Sequence, residues 1–247
     1  MIEREAPRSD LDLTFTIDRS QGWFRGSQIE PGFWWAELES NATMDAEYVL
    51  MTHFLGRRDN AIWQRISRDI RSYQRDDGSW ARYEGAPGDL STTIECYFAL
   101  RLIGDTGAHI DRAHRFILDR GGIASARVFT RIWLALCGEW SWDDLPMMPV
   151  ELMLLPARAP ISIYRFSSWA RATLVPLLIL MAKRPVRHVP AHASLSDLRV
   201  APGAPPSPRC TTDRLFLSID GLLRRYQHAP WHPGRERALA KAERWIL

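Results

Sequence analysis

Asp45, Glu47, Glu95 and Arg127 each interrupt an otherwise apolar run, where a folded chain tolerates charge least. Burying a lone carboxylate costs several kcal/mol, so each of these groups must be paired or must touch a polar turn. One outcome is a buried ion pair that fixes helix register. The other is a polar cluster that holds water or a proton. The chain also carries 11 Trp in 247 residues. So many large rings imply either a repeated packing role or an aromatic-lined cavity, and Phe129, Trp133 and Trp169 sit in apolar runs that fit both. Other chemistries lack their spacing. His53, His109, His114, His188, His192, His228 and His232 share no helix face with carboxylates at ligand spacing, so neither a metal nor another cofactor is expected. Cys96, Cys137 and Cys210 show no metal spacing and no even count, which reads as buried thiols in a reducing compartment. Neither a Ser/His/Asp arrangement nor a phosphate-binding glycine loop is visible.

The elements that position these groups are helical. Met44 to Leu55 is a nearly continuous apolar run stopped by Gly56. Thr92-x-x-Glu95 has the form of a capping box opening a helix that Gly104 closes, and Val128 to Cys137 is closed by Gly138. Apolar residues on most faces mark these three as inner helices. Ala61 to Tyr73 and Thr106 to Leu118 are amphipathic and suit an outer layer. Ser167 to Lys183 reads as a long helix that Pro176 should kink. Between Pro185 and Pro208 prolines and small polar residues predict a poorly structured crossing. Asp213 can then cap a helix whose Leu215, Ile219, Leu222, Leu223 and Tyr226 form an apolar stripe beside Arg214, Arg224 and Arg225. That stripe suits either a barrel surface or a membrane surface.

A repeat organises the helices. Gln28, Gly32 and Trp34 form a Gln-x-x-x-Gly-x-Trp pattern that recurs 46 positions on at Gln74, Gly78 and Trp80. The Gln amide can satisfy free backbone groups, Gly allows a left-handed exit, and the Trp ring can stack on the Gln. At the third position only Arg120-Gly121-Gly122 remains. The final run, Lys241 to Leu247, reproduces Arg112 to Leu118, the start of another unit, so the chain is expected to be the front of a longer protein. Alternating inner and outer helices on this period predict an all-α fold, an α/α barrel of repeated hairpins, incomplete in this chain. Hydrophobic content of 46% and charged content of 25% are ordinary. A formal charge of +3 is too small and scattered for nucleic acid but suits an anionic membrane surface. The N-terminus lacks a signal-peptide core, and the longest apolar run, ending at Met181, falls far short of the ~18 residues that span a bilayer.

The turn Gln74-Arg75-Asp76-Asp77-Gly78-Ser79-Trp80 resembles the repeat of squalene-hopene cyclases and related triterpene cyclases. So do Trp34 to Asn41, Met44 to Tyr48, Arg127 to Leu136 and Ser168 to Thr173. The likeness is dense from about Phe33 to Val186. What it implies is a membrane-bound, two-barrel helical enzyme that folds squalene in a cavity and cyclises it to hopene or hopanol. In that architecture residues 1–20 pack on a larger catalytic barrel. Residues 21–247 form the inserted smaller one, with 185–210 as the Pro-rich crossing. Phe129 and Trp169 would face the substrate, with Trp133 nearer the core. Asp45, Glu95 and Arg127 would form a polar cluster around water that takes the last proton. Phe166 and Leu174 would narrow the channel mouth, and the helix near 213–226 would dip into the cytoplasmic face of the membrane. A homodimer stays open as an assembly.

One departure matters. The family's acid is an Asp-x-Asp-Asp motif, and here only the partial echo Trp142-Asp143-Asp144 occurs. The chain alone should therefore not protonate an alkene. The competing readings are a noncatalytic helical module that binds a prenyl lipid or nothing, and a protein prenyltransferase subunit, which the missing zinc constellation disfavours.

Overall fold

Two turns close in the same way. Gln28 Nε2 donates to the Gly32 carbonyl at 2.7 Å and Trp34 Nε1 to Phe24 at 2.6 Å. In the second turn Gln74 Nε2 donates to Gly78 at 2.9 Å and Trp80 Nε1 to Ile70 at 2.7 Å. Each indole N–H thus donates to a carbonyl in the last turn of the preceding helix, where backbone acceptors are under-satisfied; Ile70 otherwise accepts only a long bond from the Tyr73 N–H, at 3.3 Å. Gly32 and Gly78 both have positive φ, 111° and 84°. At Gly78 a Cβ would lie 2.5 Å from backbone and side-chain atoms of Arg112, so the glycine is required by contact as well as conformation.

The computed structural model describes residues 10–35, 40–159, 162–200 and 211–247, with side chains of 10–12, 211–217 and 219 excepted. Residues 36–39 of one quoted run, the start of the N-terminal segment, Cys210 and the end of the Pro-rich stretch lie outside the described residues. The fold is all-α; among the described residues β structure is limited to isolated bridges at Ile29/Phe33 and Ala81/Gly88. Contacts divide the chain into two units, Met1–Ser40 and Asn41–Leu247.

In the first unit, α1 (Asp10–Gly26) leads into the Gln28 turn. Phe15, Trp23 and Phe24 are exposed along it. The second unit holds α2 (Thr43–Phe54), α3 (Asn60–Ser72), α4 (Leu90–Ile103), α5 (Ala108–Asp119), α6 (Val128–Leu136), α7 (Ser168–Lys183), α8 (Thr211–Gln227) and α9 (Arg235–Ile246). α4 is the hub, packed against α2, α3, α5 and α6, and every residue from Ser91 to Leu100 is buried. α3 and α5 bury one face each, through Trp63 and Ile70 and through Ile110, Ala113 and Ile117.

Three local expectations change. Asp89, and not Thr92, caps α4: its carboxylate accepts from the Thr92 backbone N–H at 2.9 Å and the Thr92 hydroxyl at 3.0 Å, so the helix starts three residues earlier. α8 begins at Thr211, which places Asp213 inside its first turn. The described part of the Pro-rich stretch, 185–200, is ordered against the core. Ala193, Leu195 and Leu198 are buried with the α2/α4 cluster, the Leu195 N–H donates to the Glu139 carboxylate at 2.9 Å, and Asp197 pairs with His114 at 2.8 Å. Its prolines deny it a helix, but its leucines still have apolar surface to bury.

Candidate functional site

α2 is apolar on most faces, yet its partners cover only part of it. Ala46, Val49 and Leu50 are buried. Met44, Tyr48 and Met51, spaced i, i+4 and i+7, form a stripe exposed at 59%, 38% and 40%. Leu55 extends it just past the helix end. α6 behaves alike: Leu134 joins the core around α4, while Ile132, Ala135 and Leu136 join a second cluster with Trp142 and Met181. Phe129 is left 57% exposed. Trp133 is half-buried against both clusters. At the start of α7, capped by Ser167, Trp169 is 80% exposed, and Phe166 just ahead of it is exposed. Leu174 instead packs into a third cluster with Val150, Met153, Val175 and Leu178. No ring contact joins Phe129 to Trp169. Two shallow grooves lie elsewhere, one along Phe15, Arg19 and Trp23 of α1, the other between Arg101, Asp105 and His192. Each of α2, α6 and α7 thus keeps apolar side chains open.

Between α4 and α6 lies a buried carboxyl. Glu95 is one turn into α4 and 4% exposed. Thr130 of α6 donates its hydroxyl proton to Glu95 Oε1. Burial pushes the Glu95 carboxyl up to about 7; Thr130 and Arg127 oppose the shift, and the charges of Glu47 and Asp89 add to it. Burial also raises Glu47, against a hydrogen bond from Trp133 and the charge of Arg127. Asp89 goes the other way. Burial works against its charge, but the Thr92 N–H, Arg82 and Arg127 outweigh it and hold the carboxyl low. Arg127 lies 3.6 Å from Asp89, and its backbone N–H donates to Ser91 Oγ at 2.9 Å.

Of the residues singled out in the sequence, Glu95 and Arg127 come together here. Asp45 does not join them. It sits two positions from Glu47, about 200° around the helix, where burial and the neighbouring Asp69 raise its carboxyl. Glu47 and Thr130 fill the places the sequence reading left vacant. Helical phase could have separated Glu47 from Asp45; Thr130 carried no distinguishing signal. Chemically, a carboxyl near 7 in a dry setting takes up or releases a proton close to neutrality. It is far too weak an acid to protonate an alkene. The open rings, for their part, can face a cation that has no hydrogen bond to offer. Among the described residues no group of three His, Cys, Asp or Glu could hold a metal, and no helix is long and apolar enough to cross a membrane.

The family description Squalene-hopene cyclase N-terminal domain matches residues 17–247. The chain is 44% identical over 237 residues to the squalene-hopene cyclase of Alicyclobacillus acidocaldarius, covering 94% of this chain and 37% of that protein. It is 40% identical over 242 residues to the squalene-hopene cyclase of Zymomonas mobilis, covering 95% and 36%. A dammaradiene synthase of Dryopteris crassirhizoma is 35% identical over 243 residues, covering 95% and 35%. The chain thus spans a little over a third of the length of the curated relatives it matches.

Proposed function

This chain belongs to the squalene-hopene cyclase family, and from that membership we propose that it supplies part of the cavity wall of an enzyme that cyclises linear squalene to hopene or hopanol by a protonation-started carbocation cascade. The observation that carries the proposal is the exposure of Trp169 and Phe129, 80% and 57%, on helices that each bury another face in the core. A soluble helix gains by burying such rings, so leaving them open is costly unless they meet a ligand or partner. Each ring facing a carbocation stabilises it by roughly 0.5 to 2 kcal/mol. Trp133, half-buried, backs this wall. Phe166 stands at the channel mouth, while Leu174 supports it from the core.

The group formed by Glu95, Glu47, Thr130 and Arg127 holds the water that accepts the last proton. Its Glu95 carboxyl, pushed up to about 7, is suited to acceptance and unsuited to starting the cascade. The starting acid comes from outside these 247 residues. The exposed rings of α1 support its docking on a further domain of that enzyme, and α8 rests on the cytoplasmic face of a membrane. A noncatalytic prenyl-lipid-binding module would use the same open rings, but it gives no role to a proton-poised Glu95. Gas chromatography tests the placement of the acid: purified chain incubated with squalene yields no hopene, and hopene from the isolated chain would overturn it. In the complete cyclase, Glu95→Gln shifts the ratio of hopene to hopanol.

A further inference from the structure

A threonine buried in an apolar helix usually turns its hydroxyl back to the carbonyl four residues earlier, which satisfies it locally. Thr52 does so toward Tyr48 at 2.8 Å, and Thr93 toward Asp89 at 2.7 Å. Thr130, fully buried on α6, does not. Its hydroxyl crosses to α4 and donates to Glu95 Oε1. Valine has nearly the same shape and no hydroxyl to satisfy, so what threonine adds at this position is that one bond.

The bond belongs to a row. Arg127, Thr130 and Trp133 follow at intervals of three, so they lie within about 120° of one another around α6. Each meets a carboxyl: Arg127 lies 3.6 Å from Asp89, Thr130 donates to Glu95, and Trp133 donates to Glu47. Three charges act on Glu95. Glu47 from α2 and Asp89 at the head of α4 favour its protonated form, and Arg127 at the head of α6 favours its charged form. Thr130 is nevertheless the one hydrogen-bond partner of that carboxyl among the described residues. It takes Oε1 and leaves Oε2 without a partner among them. With one oxygen tied, the carboxyl plane has one favoured setting, and Oε2 keeps a fixed direction.

We propose that Thr130 is a positioning residue for the last proton transfer: by tying Glu95 Oε1 it turns Oε2 toward the accepting water. This rests on the reading that the Glu95 group holds that water, and adds what orients the carboxyl. In the transfer, the final cation loses a proton from a carbon beside its charged centre and the C–H electron pair becomes the new double bond. Water takes the proton and passes it to the Glu95 carboxylate. Two measurements test the proposal. In the full 247-residue chain, carbon NMR of labelled glutamates follows the Glu95 carboxyl, identified by its loss in Glu95→Gln. Thr130→Val removes a donor that favours the charged form, so the titration moves up by about one pH unit, a roughly tenfold weaker acid. Thr130→Ser leaves it in place, and Thr130→Ala reads the shift should the valine variant not fold. In the complete cyclase the ratio of hopene to hopanol varies with pH, and the midpoint of that variation moves up with Thr130→Val by about the same unit and returns with Thr130→Ser. The KM for squalene does not change, because Thr130 is sealed from the cavity. A purely structural threonine would lower the melting temperature and move neither midpoint. Unmoved midpoints in Thr130→Val, in a cyclase whose ratio responds to Glu95→Gln, overturn the proposal and leave the water reading standing. A ratio indifferent to Glu95→Gln overturns the water reading and the proposal with it.

Discussion

Replacing Glu95 by Gln should stabilise the chain at alkaline pH and do little at acid pH. The Glu95 carboxyl sits at about 7 when folded, against an ordinary 4.5, because burial disfavours its charge. Between those values the folded chain holds a proton that the unfolded chain has released, so stability falls as pH rises through this window and levels off above it. At 1.36 kcal/mol per pH unit the full penalty is roughly 3 kcal/mol. Glutamine cannot ionise and still offers Thr130 an acceptor oxygen. Urea unfolding of both proteins should therefore agree within about 0.5 kcal/mol near pH 4.5 and favour Glu95→Gln by about 2 to 3 kcal/mol near pH 8.5. Taking the difference between the two proteins cancels every other titrating group. A difference that does not change with pH would refute the reasoning, since it would mean that Glu95 is solvated or already ionised.

Gly78→Ala should lower stability by about 2 to 4 kcal/mol in urea unfolding, since φ is 84° and the new Cβ meets Arg112 at 2.5 Å. Trp80→Phe keeps most of a fully buried ring but leaves the Ile70 carbonyl without its 2.7 Å donor; a loss of about 1 to 3 kcal/mol is expected by the same method. Cys96 and Cys137 are buried, and burial raises both thiols, Cys137 to about 12. Peptide mapping after treatment with a thiol reagent should find both unmodified until denaturant is added.

Helix positions were readable where the pattern itself bears the load. Gln74, Gly78 and Trp80 are spaced as they are because one bond spans four residues and another spans ten, so the motif and its geometry are one statement. Where two residues compete for one role, pattern fails. Thr92 and Asp89 both suit a cap, and only the backbone shows that Asp89 reaches the free N–H of Thr92. Asp45 and Glu47 both interrupt an apolar helix, and only its packing against α4 shows which faces Glu95. The Pro-rich stretch misled for a related reason: composition forbids a helix but does not forbid docking, and Leu195 and Leu198 dock. They fill the core beside Gly122, against which Leu198 and Val200 lie, where the third turn lacks a tryptophan. The open rings were invisible because apolar composition cannot tell covered from uncovered faces.

The account turns on Phe129 and Trp169 facing a cationic hydrocarbon. Its most direct test joins this chain to the C-terminal two thirds of the Alicyclobacillus acidocaldarius cyclase and measures hopene from squalene. Phe129→Ala and Trp169→Ala should each cut turnover by about tenfold, the scale of one lost cation–π face, with melting temperature unchanged. Tyr83→Ala, at a ring exposed to 70% on neither helix, should turn over normally. If Phe129→Ala and Trp169→Ala behave like Tyr83→Ala in an active chimera, the wall is not where this account puts it.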